Sequence, residues 1–419
     1  MLKNATILFV LLCVAGGVYE FTLRDTGALT DKKVLRIGAA GWMISEFLLL
    51  DQVKRFQADH PDIDIRMEQL PAGYDTILMI QSDMGELTYD LLLSPSNYDV
   101  PKYHKRGHII PLDDLVPADL KARMIGSMLR ISTVGTRLHL LPFMGEVEVL
   151  NYRTDLFAKA GLAGPPTTWE QFERYAEKLT RPDENEYGIS LCLAQNFFFL
   201  QNTYLVLLQS VRGGSTVDDE GHLDLTSPAA HEVFRMLKRW WKKGLISPSC
   251  KTPGGAASDF KNGLTAMFPN WQSRGLWAMK NERLTEHLAL APLPEAHNVG
   301  SLIGIHGAMI LKGSRAQAEA ALFLREVMLG YAQKQIIKAG KMPVTADGYT
   351  PGHVPDWMVE VGKTLDKGYA APELMMITEM AEDVAVAFHR FLDSDSNDPA
   401  RFLAEARKKV QRRVYDRQR

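Results

Sequence analysis

The sequence predicts an α/β protein folded as two lobes, on three observations. At 419 residues the chain is too long for one ordinary core and suits two, at roughly 100–200 residues per domain. Residues 34–94 read strand, helix, strand, helix, strand with continuously apolar strands, the mark of a parallel sheet covered on both faces. After Glu146 the same alternation starts again and runs past Met267.

The first unit opens on the apolar strand Val34–Gly38, followed by a small-residue turn to Trp42 with Ser45 as an expected N-cap. Phe47, Leu48, Val53 and Phe56 recur at helical spacing until His60-Pro61-Asp62 breaks the pattern. Ile63–Met67 alternates as a second strand, a helix covers Tyr74–Met84, and Tyr89–Ser94 is a third strand. Ligands of such sheets sit beyond the carboxyl ends of the strands, which points to the turn Gly38–Met43 and the loop Ser94–Asp99.

In the second unit Val147, Val149 and Asn151 alternate with Glu146, Glu148 and Leu150 as a strand, then a short helix ends at Gly161. Pro165-Pro166 stops that helix because proline lacks a backbone donor and restricts the residue before it. Thr168 with Gln171 three residues on reads as a capping box for a helix carrying Trp169, Phe172, Tyr175 and Leu179. Tyr187–Leu191 is a strand, and Ser227-Pro228 opens a helix through Trp240-Trp241, whose rings read as core plus surface.

Hydrophobic content of 46% and a net charge of −2 fit a soluble globular chain and argue against a nucleic-acid partner. The basic run Arg407-Lys408-Lys409 with Arg412-Arg413 reads as the solvated end of a helix, where cations complement the dipole. Residues 1–20 form a separate segment: Lys3, an apolar run Ala5–Val18 and the small residues Ala15-Gly16-Gly17 read as a signal peptide or N-terminal anchor. The chain is therefore expected in the periplasm or at the outer face of the cytoplasmic membrane, touching the membrane only through that segment. Leu12 before Cys13 argues against lipidation. Cys192 and Cys250 remain, and export permits a disulfide without their spacing demanding one. Neither Cys-x-x-Cys nor His-Glu-x-x-His occurs, so no metal and no cofactor is expected.

Several ordered stretches resemble one family. Leu150-Asn151-Tyr152-Arg153-Thr154-Asp155-Leu156-Phe157, Ala160-Gly161-Leu162 and Pro166-Thr167-Thr168-Trp169-Glu170 are similar to a signature of the extracellular solute-binding proteins of ABC importers, of the maltose and multiple-sugar type. Phe260–Met267 with the following tryptophans, Leu290–Pro294, Gly304–Ile310 with the helix Ser314–Val327, and Gly340–Val344 continue the likeness in order. The resemblance implies a type II, periplasmic-binding-protein-like fold with three hinge crossings and a cleft between the lobes. It places residues 34–144 and 295–329 in the first lobe, and 145–294 and 330–419 in the second. Hinges are expected near Gly145-Glu146, Pro292–Pro294 and Leu329-Gly330. It also implies a monomer that binds a mono- or oligosaccharide and hands it to the permease subunits, and not an enzyme.

The expected ligand contacts follow. Trp42 at the first turn offers a ring to stack on a pyranose, with packing against the opposite lobe as the alternative. Ser94, Ser96, Asn97 and Tyr98 occupy a loop where relatives contact ligand, or make an ordinary loop. Glu146 matches a carboxylate beside the hinge, acceptor-only and so suited to paired hydroxyls. Of Glu146 and Glu148, one is expected on the ligand and one in a hinge salt bridge; two carboxylates about 7 Å apart on one strand make a poor acid/base pair. Gln195, Asn196 and Phe197 open another contact loop, with strand alternation leaving one of Phe197, Phe198 and Phe199 facing the cleft. Asn270, Trp271 and Ser273 end the second signature, with the ring position shared between the last two. His306 stands where the family has small residues and either bonds ligand or packs; Glu373 and Thr378 match by position alone. The same fold could take a non-sugar solute or report to a sensor kinase, and an exported glycan-active enzyme is the reading from a different class.

Overall fold

A computed structural model describes residues 32–415 apart from 72–73, 94, 98 and 371–376. Among the described residues ten strands are formed: β1 (Lys33–Ala39), β2 (Ile63–Gln69), β3 (Leu91–Leu93), β4 (Thr133–Val134), β5 (Arg137–Leu138), β6 (Leu141–Arg153), β7 (Tyr187–Ile189), β8 (Thr265–Trp271), β9 (Leu288–Ala291) and β10 (Ile303–Ile310). Eight lie in one sheet, in the order β2-β1-β3-β10-β6-β8-β7 with β9 also on β6, while β4 and β5 make a small hairpin. As the apolar runs predict, β1 is parallel to both β2 and β3, and Leu35, Ile37 and Leu91–Leu93 are fully buried. No helix among the described residues is long and apolar enough to cross a membrane.

The 13-residue strand β6 belongs to both halves of the molecule. From Leu141 to Val147 it is antiparallel to β10, and from Glu148 to Arg153 it pairs with β8 on one edge and β9 on the other. The change of partners falls at Val147-Glu148, two residues from the expected hinge at Gly145-Glu146. The chain crosses again between β9 and β10. Its third crossing brings Met342 beside Gly145, their backbones exchanging bonds of 2.8 and 2.9 Å.

Separate cores lie on either side of that point. One gathers Leu150, Phe172, Trp240, Phe268 and, from the chain's end, Phe388 and Phe402. Helix Trp169–Leu179 docks there through Trp169 and Phe172, and Gly188 of β7 lets it lie close, since a Cβ would stand 2.5 Å from the Ala176 backbone. Thr168 Oγ1 accepts from Gln171 N at 3.2 Å, as predicted; in return Gln171 Oε1 accepts from Thr167 N, at 2.8 Å, rather than from Thr168 N. The other side is built from Leu35, Ile37, Phe56, Leu93, Phe143 and Phe323. A third cluster joins Leu92, Tyr103 and Met128 to Met342, Val344, Met358 and Leu365. Residues 342–365 bury their apolar side chains in this cluster with strand residues from both halves, Leu92 and Met309 on one side and Val149 and Leu290 on the other.

Ser45 is not an N-cap. The helix Gly41–Glu46 begins earlier, at the small-residue turn itself, and Ser45 Oγ donates back to Trp42 O at 3.1 Å. The next helix, Leu49–Asp59, starts after Leu48, which takes a left-handed conformation at φ 52°. Trp42 therefore sits in a first helical turn, on the side of the sheet's carboxyl ends.

Candidate functional site

Residues from five segments meet where β6 changes partners. Glu146 of β6 lies opposite Gly304 of β10, and a Cβ on that glycine would stand 3.4 Å from the Trp271 ring and 3.8 Å from Glu146 Cβ. A bare backbone here lets the indole at the end of β8 close over β10. Lys341, on the third crossing, forms an ion pair with Glu146. Its ammonium is 5.0 Å from the centre of the Trp42 ring, an attraction of roughly 0.5–2 kcal/mol. His306 meets Trp42 edge-on with ring centres 5.6 Å apart. Beneath them Gln272 Oε1 accepts from Val147 N at 2.8 Å and its amide nitrogen reaches Gly340 O at 3.4 Å, tying the first crossing to the third.

The sequence-predicted residues Trp42, Glu146, Trp271 and His306 are thus brought together. Lys341 and Gln272 join them without having been singled out. Lys341 lay inside the recognised Gly340–Val344 turn, and that match was the one signal that could have found it.

Other candidates have their polar atoms engaged within the protein. Asn97 is buried, with its Oδ1 accepting from Ile305 N at 3.0 Å and its own N–H donating to Ile305 O at 3.1 Å. Ser96 donates from both N and Oγ to Asp99 Oδ2, at 2.8 and 3.0 Å. These two residues pin their loop to β10. Ser94, Tyr98 and Glu373, and the side chain of Thr378, lie outside the described residues.

A cavity of about 100 Å³ opens in the second lobe, walled by Asn196, Phe198, Asn202, Asn270, Cys192 and Arg274 among others. Residues 197–199 are helical, so strand alternation does not apply. Phe198, 44% exposed, presents its ring to the cavity, while Phe199 is buried and stacked on Phe388 and Phe197 is half-buried. Asn196 Oδ1 caps this turn by accepting from Phe198 N at 3.0 Å. Asn270 Oδ1 accepts from Trp271 N and from Asn202 Nδ2, and its amide nitrogen donates to Cys192 Sγ. Gln195 is exposed and Ser273 half-buried, and neither lines the cavity. A larger cavity of about 720 Å³ between Pro165–Thr168, β9 and Trp357 contains none of these residues. Its size does not outweigh the convergence of aromatic and charged groups at the hinge.

Electrostatics separate the two glutamates of β6. Glu148 is fully buried and neither carboxyl oxygen has a partner among the described residues. Burial first, and then the neighbouring Glu146, hold its pKa well above the usual carboxylate range, with Arg274 pulling the other way. Glu146, not Glu148, makes the hinge salt bridge. Both cysteines are free thiols. Burial pushes the Cys192 thiol up to about 12 and the Cys250 thiol up to about 11, so neither is poised to react. Asp218, Glu220 and His222 gather in one turn, where Asp218 Oδ1 already accepts from the backbone N–H of both others and Arg407 approaches its carboxylate.

Residues 47–334 match the sequence model described as bacterial extracellular solute-binding protein. A mannitol-binding protein of Pseudomonas aeruginosa is 33% identical over 144 residues, 33% of this chain and 32% of that one. A probable ABC transporter-binding protein of Deinococcus radiodurans is 28% identical over 173 residues, 39% and 40% of the two chains. The chain spans about half the length of the curated relatives it matches, 56% in the longest of these alignments. Among solved structures, the sugar-binding protein of Xanthomonas citri superimposes with a TM-score of 0.78 at 17% identity, covering 92% of this chain and 98% of that one. The maltose-bound protein of T. maritima gives 0.74 at 20% identity, covering 90% and 99%. At such identities the likeness is one of fold, the two-lobe sugar-binding architecture. With a family match across residues 47–334, the chain belongs to the bacterial extracellular solute-binding proteins.

Proposed function

We propose that this protein is the substrate-binding component of an ABC importer, taking a mono- or oligosaccharide between its lobes and delivering it to the permease. The observation that carries the reading is the placement of two indoles on opposite sides of the partner change in β6. Trp42 packs on Phe47 of the first-lobe core, and Trp271 belongs to the second-lobe core. Indole faces suit the apolar faces of sugar rings, and the Glu146–Lys341 pair between them supplies an acceptor and donors for hydroxyls. A ligand held by both rings contacts both lobes at once only when they are closed, so binding shifts the population toward closure. Relatives named for mannitol, and structures with bound maltose, ribitol or D-mannitol, support a carbohydrate or polyol as the class.

A binder is favoured over an exported glycan hydrolase by the two β6 carboxylates. One is bound to Lys341 and the other is shut away from water, so neither is placed to activate one. Residues 1–20 act as export signal or anchor in this reading, and the mature chain works as a monomer outside the cytoplasmic membrane. A thermal-shift screen against a panel of sugars and polyols tests it, because a ligand bound only by the native state raises Tm. At least one sugar should stabilise the protein in a concentration-dependent way; a flat panel alongside a responding amino acid, polyamine or metal would overturn the sugar assignment.

A further inference from the structure

An exposed arginine, Arg274, lines the second-lobe cavity, and no carboxylate of a described residue hydrogen-bonds to it. Arg274 is its one ionisable cation, and no Asp or Glu lines it. The guanidinium has no ion pair or hydrogen bond with another described residue, whereas Lys341 in the neighbouring cluster is matched by Glu146. Arg274 stands in the first turn of the helix Gln272–Ala278, directly after Trp271. The carboxyl that could offset it is Glu148. Arg274 favours the ionised form of that carboxyl, against the larger opposing effect of burial. Glu148, however, is sealed from water with both oxygens unpartnered, and a carboxyl in that state keeps its proton rather than bury a bare charge.

The rest of the wall fits the edge of a sugar. Phe198 offers a partly exposed ring, and Asn196 an amide at the rim. On the floor the Oδ1 of Asn202 is buried without a donor. One ring face, amides and one unpaired planar cation form a set that a neutral sugar leaves incomplete and an acidic sugar completes. A guanidinium fork meets a carboxylate through two parallel N–H···O bonds, stronger than those to a hydroxyl.

Building on the carbohydrate reading of the cleft, we infer that this cavity is an anion subsite, with Arg274 the residue that selects an acidic sugar over a neutral one. The anionic group is a carboxylate, as on a uronic acid, or a phosphate ester, and the floor of Asn202, Asn270 and Cys192 receives the adjoining hydroxyl. The ligand's remaining ring extends toward Trp271, whose backbone N–H is held by Asn270.

The test is calorimetry of the wild-type protein, Arg274→Gln and Arg274→Lys at low and moderate salt. The probes are galacturonate and digalacturonate, glucose 6-phosphate, maltose and mannitol. The expected result is an acidic probe bound at least tenfold more tightly than the neutral sugars by the wild type. The preference should collapse in Arg274→Gln, fall partway in Arg274→Lys, and shrink as salt rises. Uronates leading assigns the anion as a carboxylate, and the phosphate leading assigns it as an ester. Neutral sugars bound as tightly as acidic ones, or an acidic preference that survives Arg274→Gln, would overturn the subsite while leaving the carbohydrate-binding function standing. No binding of any of these probes by the wild type would overturn the acidic-sugar subsite, while the carbohydrate reading is decided by the thermal-shift panel.

Discussion

Glu146 on the first hinge crossing and Lys341 on the third grip one another across the point where β6 exchanges one set of partners for another. Both side chains are largely screened from solvent. Replacing Lys341 with Met leaves a shielded carboxylate without its cation and should lower stability by about 1–3 kcal/mol. Urea denaturation of Lys341→Met, Glu146→Gln and the double variant measures this. The double variant should recover part of the loss; strict additivity would mean the two groups do not interact.

Both indoles should matter to ligand, and Trp271, a member of the second-lobe core, to folding as well. Trp42→Ala and Trp271→Ala are each expected to weaken the best ligand of the panel at least tenfold, or about 1.4 kcal/mol. Trp42 is the cleaner case, since its ring is partly exposed in the free protein. Titration calorimetry that finds affinity unchanged in both variants would move the site elsewhere.

Glu148 predicts a pH dependence of definite sign. Its folded pKa is raised, chiefly by burial, above the ordinary value of 4.5. Below about pH 4 it is protonated in both states and its contribution is fully present. As pH rises the unfolded chain releases the proton first, and stability declines until the folded pKa is passed. Glu148→Gln cannot lose a proton, so its Tm should gain on the wild type at pH 8 and show no such gain at pH 4. A difference between the two proteins that stays constant from pH 4 to 8 would mean the carboxyl is not being held neutral.

Glu173 should behave in the opposite way. Burial by itself raises its pKa, but bonds from Arg239, Lys243 and the Trp240 indole together bring it down to about 2. That stabilisation is present above pH 4.5 and is lost as pH falls toward 2. Because Arg239 and Lys243 are both more than a third exposed, solvent screening reduces it to about 1–2 kcal/mol. Glu173→Gln should cost that much at pH 7 and nothing measurable at pH 2, by urea midpoints at each pH.

What could be read from the sequence was what local chemistry decides. The apolar strands around Leu35, Ile65 and Leu92 and the cap of Thr168 on Gln171 emerge as written because neighbours within a few residues determine them. Long-range competition decided the rest. Asn97 stood in a loop expected either to contact ligand or to be ordinary, and its side-chain carbonyl is taken by the backbone of Ile305, 208 residues away. Which of Phe197, Phe198 and Phe199 faces the cavity could not be read by strand alternation, because the segment is helical. Lys341 lay within the recognised Gly340–Val344 turn, but a single lysine after a turn glycine gains its meaning only when the third crossing lays it against Glu146.

One consequence follows from the 13 residues of β6. Because a single strand completes the sheet on both sides, neither half owns a finished edge. A fragment cut at Val147 would leave β10 short of its neighbour's continuation and strip β8 and β9 of the strand between them. Each half relies on this one strand for its sheet, so a lesion in β6 is felt by both.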